Sequence, residues 1–497
     1  MKKIIVLGGG TAGWMATALI AKKLGHLFSV DIIDASAIGA IGVGEGSTPL
    51  LKTFFEQLNI TEKEWMPACN ATYKLGITFE GWSHKKNFSS YFNPFYSHFD
   101  KDYSKALIHN THLRRSGINV HVHPNTFCFS AYLAEAKCSP IPPYHFPFDV
   151  LYGYHFDAAL LATFIKKKVI NQSVNLIDAE ITSVNQDTRG NVVSLTDTEG
   201  NHYQADYFID CTGFKSLLVG ETLSTSFKSY ANVLLNDSAV TCLTEKQSPM
   251  PSETRSKAMN CGWLWNIPLQ NRTGNGYVYS SQFMTKTEAE EELINTLGLS
   301  REKVSFKHLS MKVGRLEQHW VNNCIAVGLS QGFIEPLEAT ALALTQQTIE
   351  RFIDYVLKDK ASCQSTFNEE VNASFDNVRD FVLTHYITSD RTDTKYWQTA
   401  REAKFNASSN LKYVFSTWMS NGDLPKALKD MDIDKYYSAN SWHYMLSGMG
   451  IFPDEGQLKK ASPEMLSNID VTQFKDFFSR CRLNFESHDQ RLNSLRE

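Results

Sequence analysis

The amino-acid sequence predicts an α/β protein that opens on a strand, a tight turn and a helix, and that ends in a mostly helical region. Three observations predict it. Residues 3–7, "KIIVL", form a short apolar run suited to a buried parallel strand, and "TAGWMATALIAKKL" follows with helical spacing. Residues 174–210 supply several short β-like runs separated by turn residues. The last third carries helical periodicity, as in "ALTQQTIERFIDYVL" and "FNEEVNASFDNVRDFVLTHY".

Between the first strand and helix lies G8-G9-G10-T11-A12-G13, a GxGxxG match. Gly8 permits the tight turn, Gly10 lets backbone approach a pyrophosphate, and Gly13 allows close helix–strand packing. Thr11 and Ala12 complete the loop where the helix N-terminus faces the phosphates. The next strand, "SVDIID", ends at Asp34, 24 residues after Gly10, where an acid reaches a ribose hydroxyl. Together these features predict a Rossmann-like dinucleotide site. The β-meander of 174–210 returns to a strand ending "FIDCTGF", and "CIAVGLSQGF" follows at 324–333. That order suits a flavoprotein better than a simple NAD dehydrogenase. No second GxGxxG marks a nicotinamide domain.

The 497 residues suggest roughly three domains of about 150 on length alone, but the pattern organises differently. Residues 1–350 read as an FAD-binding module with inserted substrate-facing segments at about 85–165 and 225–310, richer in aromatics and less periodic. Residues 351–497 read as a mostly helical region that contributes to the substrate pocket. The final "FESHDQRLNSLRE" reads as a frayed polar tail. A formal net charge of −4 gives no reason to propose nucleic acid or an acidic membrane surface as partner. Nine scattered cysteines without a CxxC pair suggest neither a metal site nor disulfides, and fit a reducing cytoplasm. The N-terminus imitates a signal peptide, yet three adjacent glycines argue against one, and no apolar run is long enough to span a membrane.

In "GWLWNIP", residues 262–268, Trp263 and Trp265 fall two apart, so one strand face would carry both indoles until Pro268 ends the pairing. In "YKLGITFEGW", Tyr73, Leu75, Ile77 and Phe79 alternate with Lys74, Gly76, Thr78 and Glu80. A single strand would bury the first set and project Lys74 from the other face, where a solvated lysine is the ordinary expectation. In "FIEPLEATALALTQQ", Pro336 suits a first helical turn, which would place Glu338 where the helix dipole favours a carboxylate.

The glycine motif, "CNATYKLGITFEGW" (69–82), "GWLWNIP" and "GFIEPLEAT" (332–340) together resemble flavin-dependent halogenases of the tryptophan-halogenase family. The resemblance implies an FAD-binding Rossmann-like domain of the flavin monooxygenase type, with FAD used as FADH2 together with O2 and a halide, chloride or bromide. It implies a separate NAD(P)H-dependent flavin reductase and a small electron-rich aromatic substrate, indole-like or tryptophan-like. Lys74 would hold and polarise hypohalous acid or, if partly deprotonated by burial, form a haloamine, and Glu338 would accept the proton lost at rearomatisation. Trp263, Trp265, Ile267 and Pro268 would form a wall that keeps organic substrates from the flavin. Thr340 and Ala341 would bind halide through backbone amides, and Glu45, Ile181, Leu329 and Leu342 would join the glycine loop and Asp34 around the cofactor. Tyr436, Tyr437, Trp442 and Tyr444 would line the substrate pocket. Two departures stand out: "EPLEATA" replaces the family's usual "EPLEST-G", and the aromatic tract at 434–450 is shorter than in tryptophan-specific members. A flavin-dependent aromatic hydroxylase and a non-catalytic flavin-binding protein are the rival readings.

Overall fold

A computed structural model describes residues 1–35, 44–170, 174–358, 363–462 and 471–497. The chain forms two compact units, each assembled from three segments. The first comprises Met1–Ala71, Phe156–Ala231 and Met311–Asp376; the second comprises Thr72–His155, Asn232–Ser310 and Asn377–Glu497.

The first unit is built on a six-stranded sheet in the order Trp320–Val321, Cys324–Ala326, Tyr207–Asp210, Lys2–Leu7, Phe28–Asp34, Val174–Asp178. All neighbours are parallel except the first pair. Parallel strands need both faces covered, and Ile4, Ile5 and Val6 are accordingly inaccessible to solvent. The helix Thr11–Leu24 packs against the helices Ala158–Val169 and Ala341–Leu357. The predicted meander forms an antiparallel sheet of Ile181–Gln186, Val192–Asp197 and His202–Tyr203.

The second unit contains a seven-stranded sheet in the order Lys307–Ser310, Ser238–Thr244, Thr273–Tyr279, Gly262–Pro268, Thr254–Ala258, Gly76–Glu80, Ser90–Pro94. Much of 225–310, read as weakly periodic, is therefore regular sheet, whereas 85–165 gives this sheet one strand and also holds the helices Lys101–Arg115 and Phe129–Glu135. The strands Gly262–Pro268 and Thr273–Tyr279 are buried on both faces, so neither shows the alternation of a half-exposed strand. Leu264, Tyr277 and Val240 pack on one face with Leu293 of the helix Lys286–Leu297, which starts on a Thr285–Glu288 capping box. Helices dominate the end of the chain, including Ser409–Met419, Ala439–Gly448 and Val471–Arg482.

The last residues are not a frayed tail. Ser487 and Gln490 form a capping box that starts the helix His488–Ser494, and His488, Leu492 and Leu495 are buried. The polar residues that suggested fraying are the cap and the solvent side of a docked helix. No described helix is long and apolar enough to cross a membrane, and all nine cysteines are free thiols.

Candidate active site

In the first unit the glycine loop meets the demands of a dinucleotide. Gly8 has φ +110°, and a Cβ there would fall 2.3 Å from the Cys211 carbonyl oxygen. A Cβ on Gly13 would fall 1.8 Å from the Gly8 oxygen, so helix and loop touch backbone to backbone. Beside Gly10, by contrast, a Cβ would meet nothing within 4 Å, and the helix it starts has no acidic residue in its first turn. An open glycine at an uncapped helix N-terminus fits a pyrophosphate. The Asp34 carboxylate lies over Gly9, where a Cβ would fall 1.9 Å from Cγ.

Asp210, absent from the sequence-predicted site, organises the neighbouring loops. Its fully buried carboxylate accepts from Leu218 N–H at 2.8 Å, Val219 N–H at 3.0 Å and the Ser330 hydroxyl at 3.1 Å. These bonds join the helical turn Leu217–Thr222 to the turn Gly328–Ser330 that carries half-buried Leu329, and the Ser330 hydroxyl also lies 3.2 Å from the carbonyl of Gly213, which is open at φ +70°. Gly328 in turn abuts Ala12, since a Cβ there would fall 2.6 Å from the alanine methyl. The Glu45 carboxyl is raised to about 7 by burial and by the Asp157 carboxylate. Ile181 packs its side chain into the core with Val192 and Leu195, and Leu342 is buried in the first turns of the helix Ala341–Leu357.

The surroundings of Glu338 differ from the sequence expectation. Pro336–Glu338 is a separate 3₁₀ turn, Ala339 is left-handed at φ +55°, and the α-helix begins only at Ala341. The reversal at Ala339 breaks the helical path, so Glu338 is not a first-turn dipole partner of that helix. Glu338 is 7% exposed and Glu335 fully buried. Thr340 is the helix N-cap residue, and the Ala341 side chain is exposed. The amides of Thr340 and Ala341 thus sit at a helix N-terminus, a setting that favours an anion.

The second unit holds Lys74 and the tryptophans. Lys74 is not on one long alternating strand: Thr72–Lys74 pairs with Gly153–Asp157, and Gly76–Glu80 pairs in the seven-stranded sheet. The switch at Leu75 buries residues of both parities, and Lys74 is 0% exposed. Its ammonium lies 5.4 Å from the centre of the Phe95 ring, a cation–π contact. Trp263 and Trp265 do share a face, with ring centroids 6.1 Å apart and planes at 55°. Gly276, directly across from Trp265, accommodates the indole; a Cβ there would fall 2.0 Å from it. Ile267 and Pro268 are buried on the same strand.

Of the four pocket candidates, two come together. Tyr437 stacks on Phe381 at 3.7 Å and Trp442 meets the same ring edge-on at 5.1 Å. The buried Trp442 Nε1–H has no acceptor among the described residues. Tyr436 is half-buried beside the Lys435 ammonium. Tyr444 lies apart: its ring packs with Phe127 and Phe129, and its hydroxyl donates to the Phe127 carbonyl at 2.9 Å. Phe381 carried no sequence signal, because only tertiary packing sets it beside residues more than fifty positions away.

The tryptophan halogenase family model matches residues 3–464. The chain belongs to the tryptophan halogenase family. It is 33% identical over 430 residues to the 7-chloro-L-tryptophan 6-halogenase of Kutzneria sp. (strain 744), covering 80% of this chain and 81% of that protein. The crystal structure of the tryptophan 6-halogenase from Streptomyces toxytricini superposes with a TM-score of 0.82 at 30% identity, covering 99% of this chain and 100% of that one. A flavin-dependent halogenase from Brevundimonas sp. BAL3 gives a TM-score of 0.82 at 28% identity, covering 100% and 99%. Both structures therefore cover nearly the whole chain.

Proposed function

We propose that the protein is an FADH2- and O2-dependent halogenase that places chloride or bromide on an electron-rich, indole-like or tryptophan-like ring. The observation that carries this reading is a wholly buried lysine, on a strand bonded to the tryptophan strand, in a chain of this family. A lysine serving only solubility would not be taken out of water, because burying an ammonium costs several kcal/mol unless it is compensated.

Bound FAD, reduced and supplied with O2 and halide, provides the oxidising equivalent as hypohalous acid. The loop Gly8–Gly13 and the helix N-terminus at Thr11 hold the pyrophosphate, and Asp34 holds a ribose hydroxyl. Glu45, Ile181, Leu329 and Leu342 complete the cofactor's surroundings, and the amides of Thr340 and Ala341 hold the halide. Trp263, Trp265, Ile267 and Pro268 keep the organic substrate from the flavin. The Lys74 ammonium donates to the hypohalous oxygen and orients the halogen toward the ring. Glu338 steadies the cationic ring and accepts its proton at Oε. Tyr437 and Trp442 frame the substrate with Phe381.

A separate NAD(P)H-dependent reductase supplies FADH2, since the sequence holds a single GxGxxG. The test combines purified protein, FAD, NADH, bromide or chloride and a panel of indoles and phenols, with and without a flavin reductase. Halogen in the product only when the reductase is present is the expected result. Oxygen in place of halogen would make the protein a hydroxylase, and turnover of NADH by the protein alone would remove the partner.

A further inference from the structure

Two buried histidines flank the lysine strand, and neither has a part in the chemistry above. In the antiparallel pair of Thr72–Lys74 with Gly153–Asp157, Thr72 lies across from His155, and Lys74 lies across from Gly153. Thr72, Lys74 and His155 therefore share one face. The Thr72 hydroxyl donates to the Pro268 carbonyl at 2.7 Å. That bond uses its only proton, so toward His155 Nδ1, at 3.0 Å, its oxygen accepts, and Nδ1 carries the hydrogen. The other ring nitrogen, Nε2, then accepts from the Thr254 hydroxyl at 2.8 Å. His488 is fixed in the same tautomer, with Nε2 accepting the Tyr73 N–H at 3.0 Å and Nδ1 donating to the Pro251 carbonyl at 2.9 Å. Thr72, His155 and His488 are all inaccessible to solvent. Donors thus run in one direction from Thr254 through His155 and Thr72 to Pro268, crossing from one strand to the next.

We propose that His155 is a positioning residue for Lys74: as a neutral Nδ1–H imidazole it closes this chain of hydrogen bonds and holds the lysine strand against the tryptophan strand. The proposal rests on the assignment of Lys74 as the group that handles hypohalous acid. Neutrality is part of the role. A proton on Nε2 would face the Thr254 hydroxyl with a second donor and set a like charge beside the ammonium. Burial, with Lys74 and His488 as the charged and titratable neighbours, holds the His155 ring well below the ordinary histidine range.

The test measures halogenated product per FADH2 consumed, with reductase-supplied FADH2, in the wild type, His155→Leu and His155→Asn. Leucine keeps the bulk and severs the chain. Asparagine returns an amide N–H near the place of Nδ1–H. The leucine variant is expected to lose about 10- to 10²-fold in product per FADH2, the scale of a misplacement of about 1 Å, with FADH2 oxidation retained. The asparagine variant is expected to recover most of that loss. An unchanged ratio in the leucine variant, a loss that asparagine does not recover, or a loss that follows FADH2 oxidation downward would overturn the proposal. Should neither variant fold, ¹⁵N-histidine NMR of the wild type still decides, because a hydrogen on Nε2 of His155 at neutral pH is incompatible with the chain. Lys74→Ala separates the two assignments. Full product from that variant removes the role of the lysine itself, whereas loss there with none in His155→Leu removes only the positioning role.

Discussion

Lys74 sits where an apolar side chain would be ordinary and an ammonium is not. Its neighbours include the Phe95 ring face and, across the strand, Gly153, which leaves room for the side chain. The sequence disclosed the residue type and the motif around it but not the burial, because alternation predicts sidedness only while one strand stays in one sheet. Glu338 poses the opposite problem, since its motif suggested a helix start and its turn lies outside the helix. That weakens a purely structural reading, in which a dipole-complementing carboxylate is worth about 0.3–1 kcal/mol. Glu338→Gln keeps size and hydrogen-bonding shape and removes the charge. Product formation should fall by about 10²–10⁴-fold, the usual contribution of a positioned base, while the melting temperature moves by no more than a few degrees. Glu335→Gln offers no clean comparison, because full burial of Glu335 makes that change a stability mutation. A rate loss in Glu338→Gln that matched its thermal loss would return the residue to a structural role.

At the scale of elements, legibility followed locality. The strand–loop–helix at the N-terminus was readable because its glycines, apolar runs and acid act within about thirty residues, and each has one steric purpose. The Thr72–His155 pair spans 83 positions and the Tyr73–His488 bond 415, so no window of sequence displays either. The same distance explains the misreading of the last helix: its few apolar residues look sparse until the surface that receives them is known. Truncation after Glu486 removes buried Leu492 and Leu495, each worth roughly 1.5–3 kcal/mol, together with the acceptor for the Tyr73 amide. The truncated protein should melt several degrees lower and yield less halogenated product per FADH2. An unchanged melting curve would restore the frayed-tail reading. His488 also sets an acid limit. Burial lowers its folded value to about 4 from 6.5, so the unfolded chain binds the extra proton between those values. Stability from this group is complete above about pH 6.5 and declines toward pH 4 by up to roughly 3 kcal/mol. His488→Gln should flatten that part of the stability–pH curve measured by chemical denaturation.

The chain forms two units of interleaved segments, each assembled from three stretches of sequence. Gly8, Gly10, Asp34, Asp210 and Gly328 belong to the first unit, and Lys74, Trp263 and Trp265 belong to the second. Oxidation of reduced flavin and transfer of the halogen to a ring should therefore be separable by mutation. Lys74→Ala leaves every proposed cofactor residue in place. It should consume FADH2 and O2 at a rate close to that of the wild type, release the oxidising equivalent to solvent, and form almost no halogenated aromatic. Lys74→Arg is the sharper comparison, because it keeps the charge but replaces a compact three-donor ammonium by a planar fork that cannot occupy the same space. If the lysine serves only as a buried positive charge, arginine should restore product; if it must donate to hypohalous acid from one fixed point, arginine should fail like alanine. The measurement is halogenated product and FADH2 consumption in parallel, with melting temperature for each variant. Near wild-type product from Lys74→Ala would mean that the lysine is structural and that halogen reaches the ring without it.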